Sequence, residues 1–310
     1  MGGSFFRTLF RNRVMLLMVL PGAAWFLFFS YMPLIGTVAA FKEYRFSREG
    51  FWHSLFNSEN VGWDNFRFLF STDAAFTITR NTLLYNIAFI FLGLVFSVAM
   101  AIILSEIVNK KMAKLYQTGM FLPYFLSWVI VGYFAFSFLS MDRGLLNHIL
   151  GYFGVETIGW YNEPKYWPYI LVFVSLWKSV GYNSVVYLAS IMGIDRSLYE
   201  AAMIDGANKW QQVRNITLPL LKPIIIIMTL LAVGKIFYAD FGLFYSVPRD
   251  SGTLYSVTNV IDTYVYRGLK TTGEIGMSTA AGLYQSVVGF VLVMVSNFIV
   301  RKIDKDSALF

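Results

Sequence analysis

The chain is 310 residues long, with 57% apolar and only 14% charged residues; a soluble domain carries roughly 25% charged, so a water-exposed surface cannot be built from this composition. It has no cysteine and two histidines, His53 and His148, which excludes disulfides and thiolate metal sites and leaves little imidazole chemistry. The net charge of +7 is distributed in the way that orients a membrane protein, not as a nucleic-acid-binding patch.

A hydrocarbon layer about 30 Å thick takes roughly 20 apolar helical residues to cross. Residues 14–41 contain no Asp, Glu, Lys or Arg and read as the first span. Arg7, Arg11 and Arg13 precede it as they would in a signal peptide. The run is about twice the length of a cleavable apolar core, so it reads as a retained helix. The charge-free runs 81–105 and 115–141 are the second and third spans. Residues 168–192, with Lys178, form the fourth; residues 223–239, with Lys235, form the apolar part of a fifth drawn to 244; residues 275–300, free of charge again, are the sixth.

Lys and Arg are about twice as dense in segments 1–13, 106–114, 195–222 and 301–310 as in 42–80, 142–167 and 240–277. By the positive-inside rule both ends, 1–13 and 301–310, are therefore cytoplasmic and the long loops lie outside. The outer loops carry Phe51, Trp52, Trp63, Phe66, Trp160, Tyr161 and Trp167, which read as an interfacial aromatic belt. In the last span Ser278, Gly282, Ser286 and Gly289 give a small-residue face, suited either to packing within the bundle or to a second chain.

Segment 195–222 is the longest inner loop and is written as two short capped helices. Ser197 and Glu200 form a capping-box pattern, Leu198 to Ile204 continue as helix, and Gly206 ends it. Asn208 with Gln211 starts a second helix, which Pro219 and Pro223 limit. Small residues at 201, 202 and 207 let a partner approach, and Tyr199, Met203 and Trp210 supply knobs. An amphipathic segment lying on the inner leaflet, with Lys209, Arg214 and Lys222 at the headgroups, is the equally weighted alternative.

Glu200-Ala201-Ala202, Gly206, Ile216 and Leu218-Pro219 resemble the EAA loop of the permease subunits of binding-protein-dependent ABC importers. Phe121-Leu122-Pro123-Tyr124, Gly144-Leu145-Leu146-Asn147 and the stretch from Trp177 to Asn183 are similar to sugar-importer permeases. The segments 240–244, 260–267 and 281–286 resemble the subfamily that imports oligosaccharides from complex polysaccharides. Ile194-Asp195 departs from the Ile-Pro found in many sugar permeases and supplies another candidate N-cap.

The resemblance implies an all-α membrane protein with six transmembrane helices, both termini inside, and the type I ABC importer permease (MetI-like) fold. The permease domain would cover 14–300, with the coupling helix in the loop 195–222. It implies multi-pass residence in a bacterial cytoplasmic membrane, with a second homologous permease, two ATPase subunits and an external solute-binding protein delivering an oligosaccharide as partners. Glu200, Ala201, Ala202, Asp205 and Gly206 would meet the ATPase.

ATP and Mg would be bound by the ATPase subunits. The chain itself has no G-x-x-x-x-G-K-[ST] run, no HExxH and no Ser/His/Asp arrangement, so it is expected to be neither an enzyme nor a cofactor carrier. A proton- or sodium-coupled sugar carrier is the rival reading and a noncatalytic scaffold or sensor the third; proton-coupled carriers place Asp, Glu or His in the membrane, and the six apolar stretches have none. Lys178 and Lys235 either line the path and favour anionic sugars such as uronates, or pair with a carboxylate or carbonyl, or snorkel. Tyr182, Asn183, Tyr238, Tyr284 and Gln285 are further candidates for the sugar path, since sugars bind by hydrogen bonds and aromatic stacking.

Overall fold

The computed structural model describes residues 11–271 and 273–303; Arg7 and the tail beyond Ile303 lie outside them. The chain divides into two compact units, residues 1–71 with 268–284, and residues 72–267 with 285–310. Among the described residues five helices are long and apolar enough to cross a membrane, and six if one bent pair is counted as a span.

In the first unit, α1 (Arg13–Phe26) runs on through a wide π-helical turn at Leu27–Tyr31 and a tight 3-10 stretch, Met32–Phe41. The wide turn ends two residues before Pro33, where a missing N–H and the ring would otherwise break the ladder. A two-residue antiparallel pair follows, β1 (Lys42–Glu43) with β2 (Glu59–Asn60), in the register Lys42 to Asn60 and Glu43 to Glu59. α2 (Phe51–Asn57) lies between the two strands in sequence. The Asn65 amide donates to the carbonyls of Ala40 (3.0 Å) and Lys42 (2.9 Å), closing this unit around Ala40, Phe66 and Ala280.

The second unit holds α3 (Asp73–Ser105), α4 (Lys110–Phe125), α5 (Trp128–Leu139), α6 (Leu145–Tyr152) and α7 (Trp167–Met192). These are followed by α8 (Arg196–Ile204), α9 (Lys209–Gln212), α10 (Leu218–Val233), α11 (Phe241–Ser246) and α12 (Ile261–Thr271), of which residues 268–271 belong to the first unit. The last helix, α13 (Ile275–Ile303), supplies residues 275–284 to the first unit and its remainder to the second. One core joins Tyr85, Val131, Trp167, Leu171, Phe244 and Val260; another joins Val98, Ala101, Tyr187, Ile191 and Leu221.

The expected third span is not a straight helix. α4 stops at Phe125, Leu126 is extended, and the Ser127 hydroxyl accepts the Ile130 amide to start α5, at 98° to α4. The fifth helix is displaced toward the N-terminus: α9, a π-helical turn at Val213–Thr217 and α10 form one rod from Lys209 to Val233. Pro219 therefore does not end the second short helix, because the wide turn just before it removes the conflict at its ring, as at Pro33. Phe66 and Trp167 are core residues and not interfacial ones, and the Trp167 indole donates to the Trp160 carbonyl at 2.7 Å. On the small-residue face, Gly289 lies against the Gly234 carbonyl, where a Cβ would come to 2.6 Å, while the Ser286 hydroxyl meets the Tyr238 hydroxyl at 2.6 Å.

Candidate functional site

Two regions of the second unit carry features that packing alone does not require. The first is the turn between α8 and α9. The N-cap of α8 is Asp195 and not Ser197: its Oδ1 accepts the Ser197 amide at 3.0 Å, and hydrogen bonds from Ser197 hold this carboxyl below the usual carboxylate range. Ser197 thus sits inside the first turn and no capping box forms with Glu200. At the other end, Ala207 N–H donates to the Ala202 carbonyl (2.8 Å) and Gly206 N–H to the Met203 carbonyl (3.1 Å), the six-to-one and five-to-two bonds of a Schellman close. Gly206 has φ +79°, a left-handed conformation that suits glycine. Asn208 and Gln211 make the reciprocal capping box read from the sequence, at 2.7 and 2.9 Å.

The turn is fastened to the body by three contacts: Tyr199 Oη with Thr217 Oγ1 (2.9 Å), Gln212 Nε2 to the Ala207 carbonyl (3.0 Å), and Lys209 Nζ with Glu106 Oε2 (2.7 Å) at the end of α3. Glu200, Ala201, Asp205 and Gly206 are exposed and Ala202 is half-buried. Around them Met203, Ile204 (87% exposed) and Trp210 (70% exposed) stand out from the surface. An acidic side chain, small residues and apolar knobs thus stand exposed together on a turn whose shape is fixed by caps at both ends.

The second region is a cavity of about 450 Å³ bounded by α3, α7 and the α10 end of the rod. Asn183 and Lys235 line it, with Ser97, Ser179, Tyr187 and Thr229, which the sequence reading did not single out. Ser97, Ser179 and Thr229 were missed because isolated hydroxyls in an apolar helix usually bond back to their own backbone, as Ser179 does to the Ser175 carbonyl (2.7 Å), and nothing in the sequence shows that Ser97 does not.

The remaining candidates are placed elsewhere. Lys178 is 9% exposed; its Nζ donates to the carbonyls of Pro123 (3.3 Å) and Tyr124 (2.6 Å) and lies over the rings of Tyr124 and Trp128. It caps the C-terminal end of α4 at the bend, a favourable place for a cation. Trp128 in turn donates to Asp240 Oδ2 (2.9 Å), and Asp240 Oδ1 caps α11 through the amides of Gly242 and Leu243.

Tyr182 stacks on Tyr124 with centroids 4.0 Å apart. Tyr238 is bonded to Ser286. Gln285 is buried, donating to the Phe237 carbonyl (2.6 Å) and to Asp262 Oδ2 (3.2 Å). Tyr284 belongs to the first unit, edge-on to Phe70. Asn183 and Lys235 are therefore the two sequence candidates that the fold brings to one cavity.

Residues 93–305 match the family of binding-protein-dependent transport system inner membrane components. Protein LplB of Bacillus subtilis is 32% identical over 99% of this chain and 94% of its own length. The polygalacturonan/rhamnogalacturonan transport system permease protein YteP of the same organism is 32% identical, over 96% and 91%. Among solved structures, a bacterial ABC transporter involved in the import of the acidic polysaccharide alginate superposes with a TM-score of 0.86 at 32% identity, covering 97% of this chain and 99% of the matched one. A bacterial alginate ABC transporter in complex with alginate pentasaccharide-bound periplasmic protein gives the same TM-score and identity.

Proposed function

This chain belongs to the family of binding-protein-dependent transport system inner membrane components, and from that membership we propose that it is the permease subunit of an ATP-driven importer of oligosaccharides derived from complex polysaccharides, acidic ones included. The polygalacturonan/rhamnogalacturonan and alginate relatives support that substrate class. The observation that carries the reading is the exposed, doubly capped turn around Glu200 and Gly206, continuous through one rod with an apolar span.

In this reading the chain sits in a bacterial cytoplasmic membrane with both ends inside. It pairs with a second homologous permease, two ATPase subunits that bind ATP and Mg, and an external solute-binding protein, as in the complex of the alginate relative with its periplasmic protein. Closure of the ATPases moves α8, and the rod Lys209–Val233 carries that movement into the membrane. The cavity then opens outward to receive sugar from the binding protein. No side chain of this chain does chemistry on the substrate.

Glu200→Lys reverses the charge on the docking face without touching any span. The variant is expected to insert and assemble, yet to lose oligosaccharide-stimulated ATP hydrolysis and uptake in proteoliposomes containing the full transporter. Undiminished uptake would sink the assignment of this turn as the ATPase contact.

A further inference from the structure

The cavity between α3, α7 and α10 contains polar groups that the protein leaves unused. Ser97 is 1% exposed, and its Oγ has no hydrogen-bond partner. Among the described residues the Asn183 carboxamide, the Thr229 hydroxyl and the Lys235 ammonium likewise form no side-chain hydrogen bond or ion pair. A buried polar group without a partner is costly and rare in native structures. Ser97 is such a group, and the half-buried Asn183 and Thr229 and the exposed Lys235 share the lining with it, a set of polar groups that a ligand in the cavity would complete. Lys235 is the only charged residue in that lining. Phe89, Leu94 and Met228 supply apolar wall, and the volume of about 450 Å³ falls within the usual range of small-molecule sites, roughly 300–1,000 Å³.

Lys178 and Lys235 differ in what surrounds them. Lys178 is buried within α7 and committed to two carbonyls and two ring faces. The Lys235 side chain, exposed in the turn that follows α10, forms no hydrogen bond or ion pair among the described residues, so its ammonium is available to an anion held in the cavity. A neutral sugar would satisfy Asn183, Ser97 and Thr229 and give the ammonium no opposite charge. A sugar carrying a carboxylate satisfies all four.

We infer that this cavity is a uronate subsite on the translocation path, in which Lys235 pairs with a sugar carboxylate while Asn183, Ser97 and Thr229 bond its hydroxyls. The inference rests on the permease reading above and assigns the acid specificity within the membrane to Lys235 and not to Lys178.

Because this chain has no cysteine, Lys235→Cys gives a single thiol, in a complete transporter whose other chains have been made cysteine-free. Uptake of an oligogalacturonate into proteoliposomes is expected to fall at least tenfold. Treatment with 2-aminoethyl methanethiosulfonate, which restores an ammonium, should recover most of it, whereas the 2-sulfonatoethyl reagent should recover none. Lys235→Arg should retain uptake, and Lys178→Met should destabilise the complex without this charge-dependent signature. Unchanged uptake by Lys235→Cys, equal recovery with both reagents, or a thiol that neither reagent reaches overturns the subsite. Wild-type import of a neutral oligosaccharide with no import of the uronate overturns the subsite and leaves the permease reading standing; import of neither overturns both.

Discussion

At the scale of single residues, two lysines of similar sequence context have opposite surroundings. Lys178 closes the open carbonyl end of α4, so replacing it with methionine removes two charge-assisted bonds but also the cost of burying an ammonium. Bonds to a charged group are worth about 1.5–3 kcal/mol, and part of this is recovered with the charge gone. Lys178→Met is therefore expected to lower stability by about 1 kcal/mol, read as a fall in melting temperature of the purified protein in detergent.

Asp262, on α12, accepts from Ala239 N–H (2.8 Å) and from Gln285. Burial raises its pKa above the ordinary carboxylate value, against those bonds, with Asp240 adding to the rise. A carboxyl raised in the folded state contributes stability that is full below its unfolded value and is lost as pH climbs through the folded one. Melting temperature should accordingly decline as pH rises above the ordinary carboxylate value of about 4. Asp262→Asn, which keeps an acceptor for the Ala239 amide, should flatten that decline.

At the scale of elements, the turn from α8 to α9 shows which signals survive from sequence into structure. A Cβ added at Gly206 meets nothing within 4 Å, but its φ is +79°. Gly206→Ala should thus cost only the left-handed backbone penalty, about 1–2 kcal/mol, with transport largely retained. Gly206→Asp should leave the permease in the membrane and abolish sugar-stimulated ATP hydrolysis, through the carboxylate it adds to the docking face; comparing ATPase rates of the two variants checks this. Gly206 and the Asn208–Gln211 box were legible because their bonds close within a few residues.

The N-cap was misread at Ser197 because two cap-competent residues stand two positions apart, and Asp195 is the one that has the extended backbone of a cap, with ψ 124°. The bend in the third span and the unbroken rod through Pro219 were not legible. Hydropathy counts apolar residues and is blind to the direction a helix takes; the bend is held by Lys178, more than fifty residues away.

At the scale of the whole molecule, the apolar runs, the all-helical class and the family were readable from composition and from the EAA segment, and the match over residues 93–305 agrees with them. The cavity was not. Its lining comes from three helices far apart in sequence, and what distinguishes Ser97 and Lys235 is the lack of a partner, a property of the assembled bundle.

The rod Lys209–Val233 has a mechanical consequence. At 1.5 Å per residue its 25 residues reach about 37 Å, so a tilt of only about 5° about the docking end sweeps the far end through about 3 Å. That end is where Gly234 touches Gly289 and Lys235 faces the cavity. In the proposed import cycle the helix is a lever, so that a small rotation at its docking end becomes, at the cavity, a displacement about the length of one hydrogen bond.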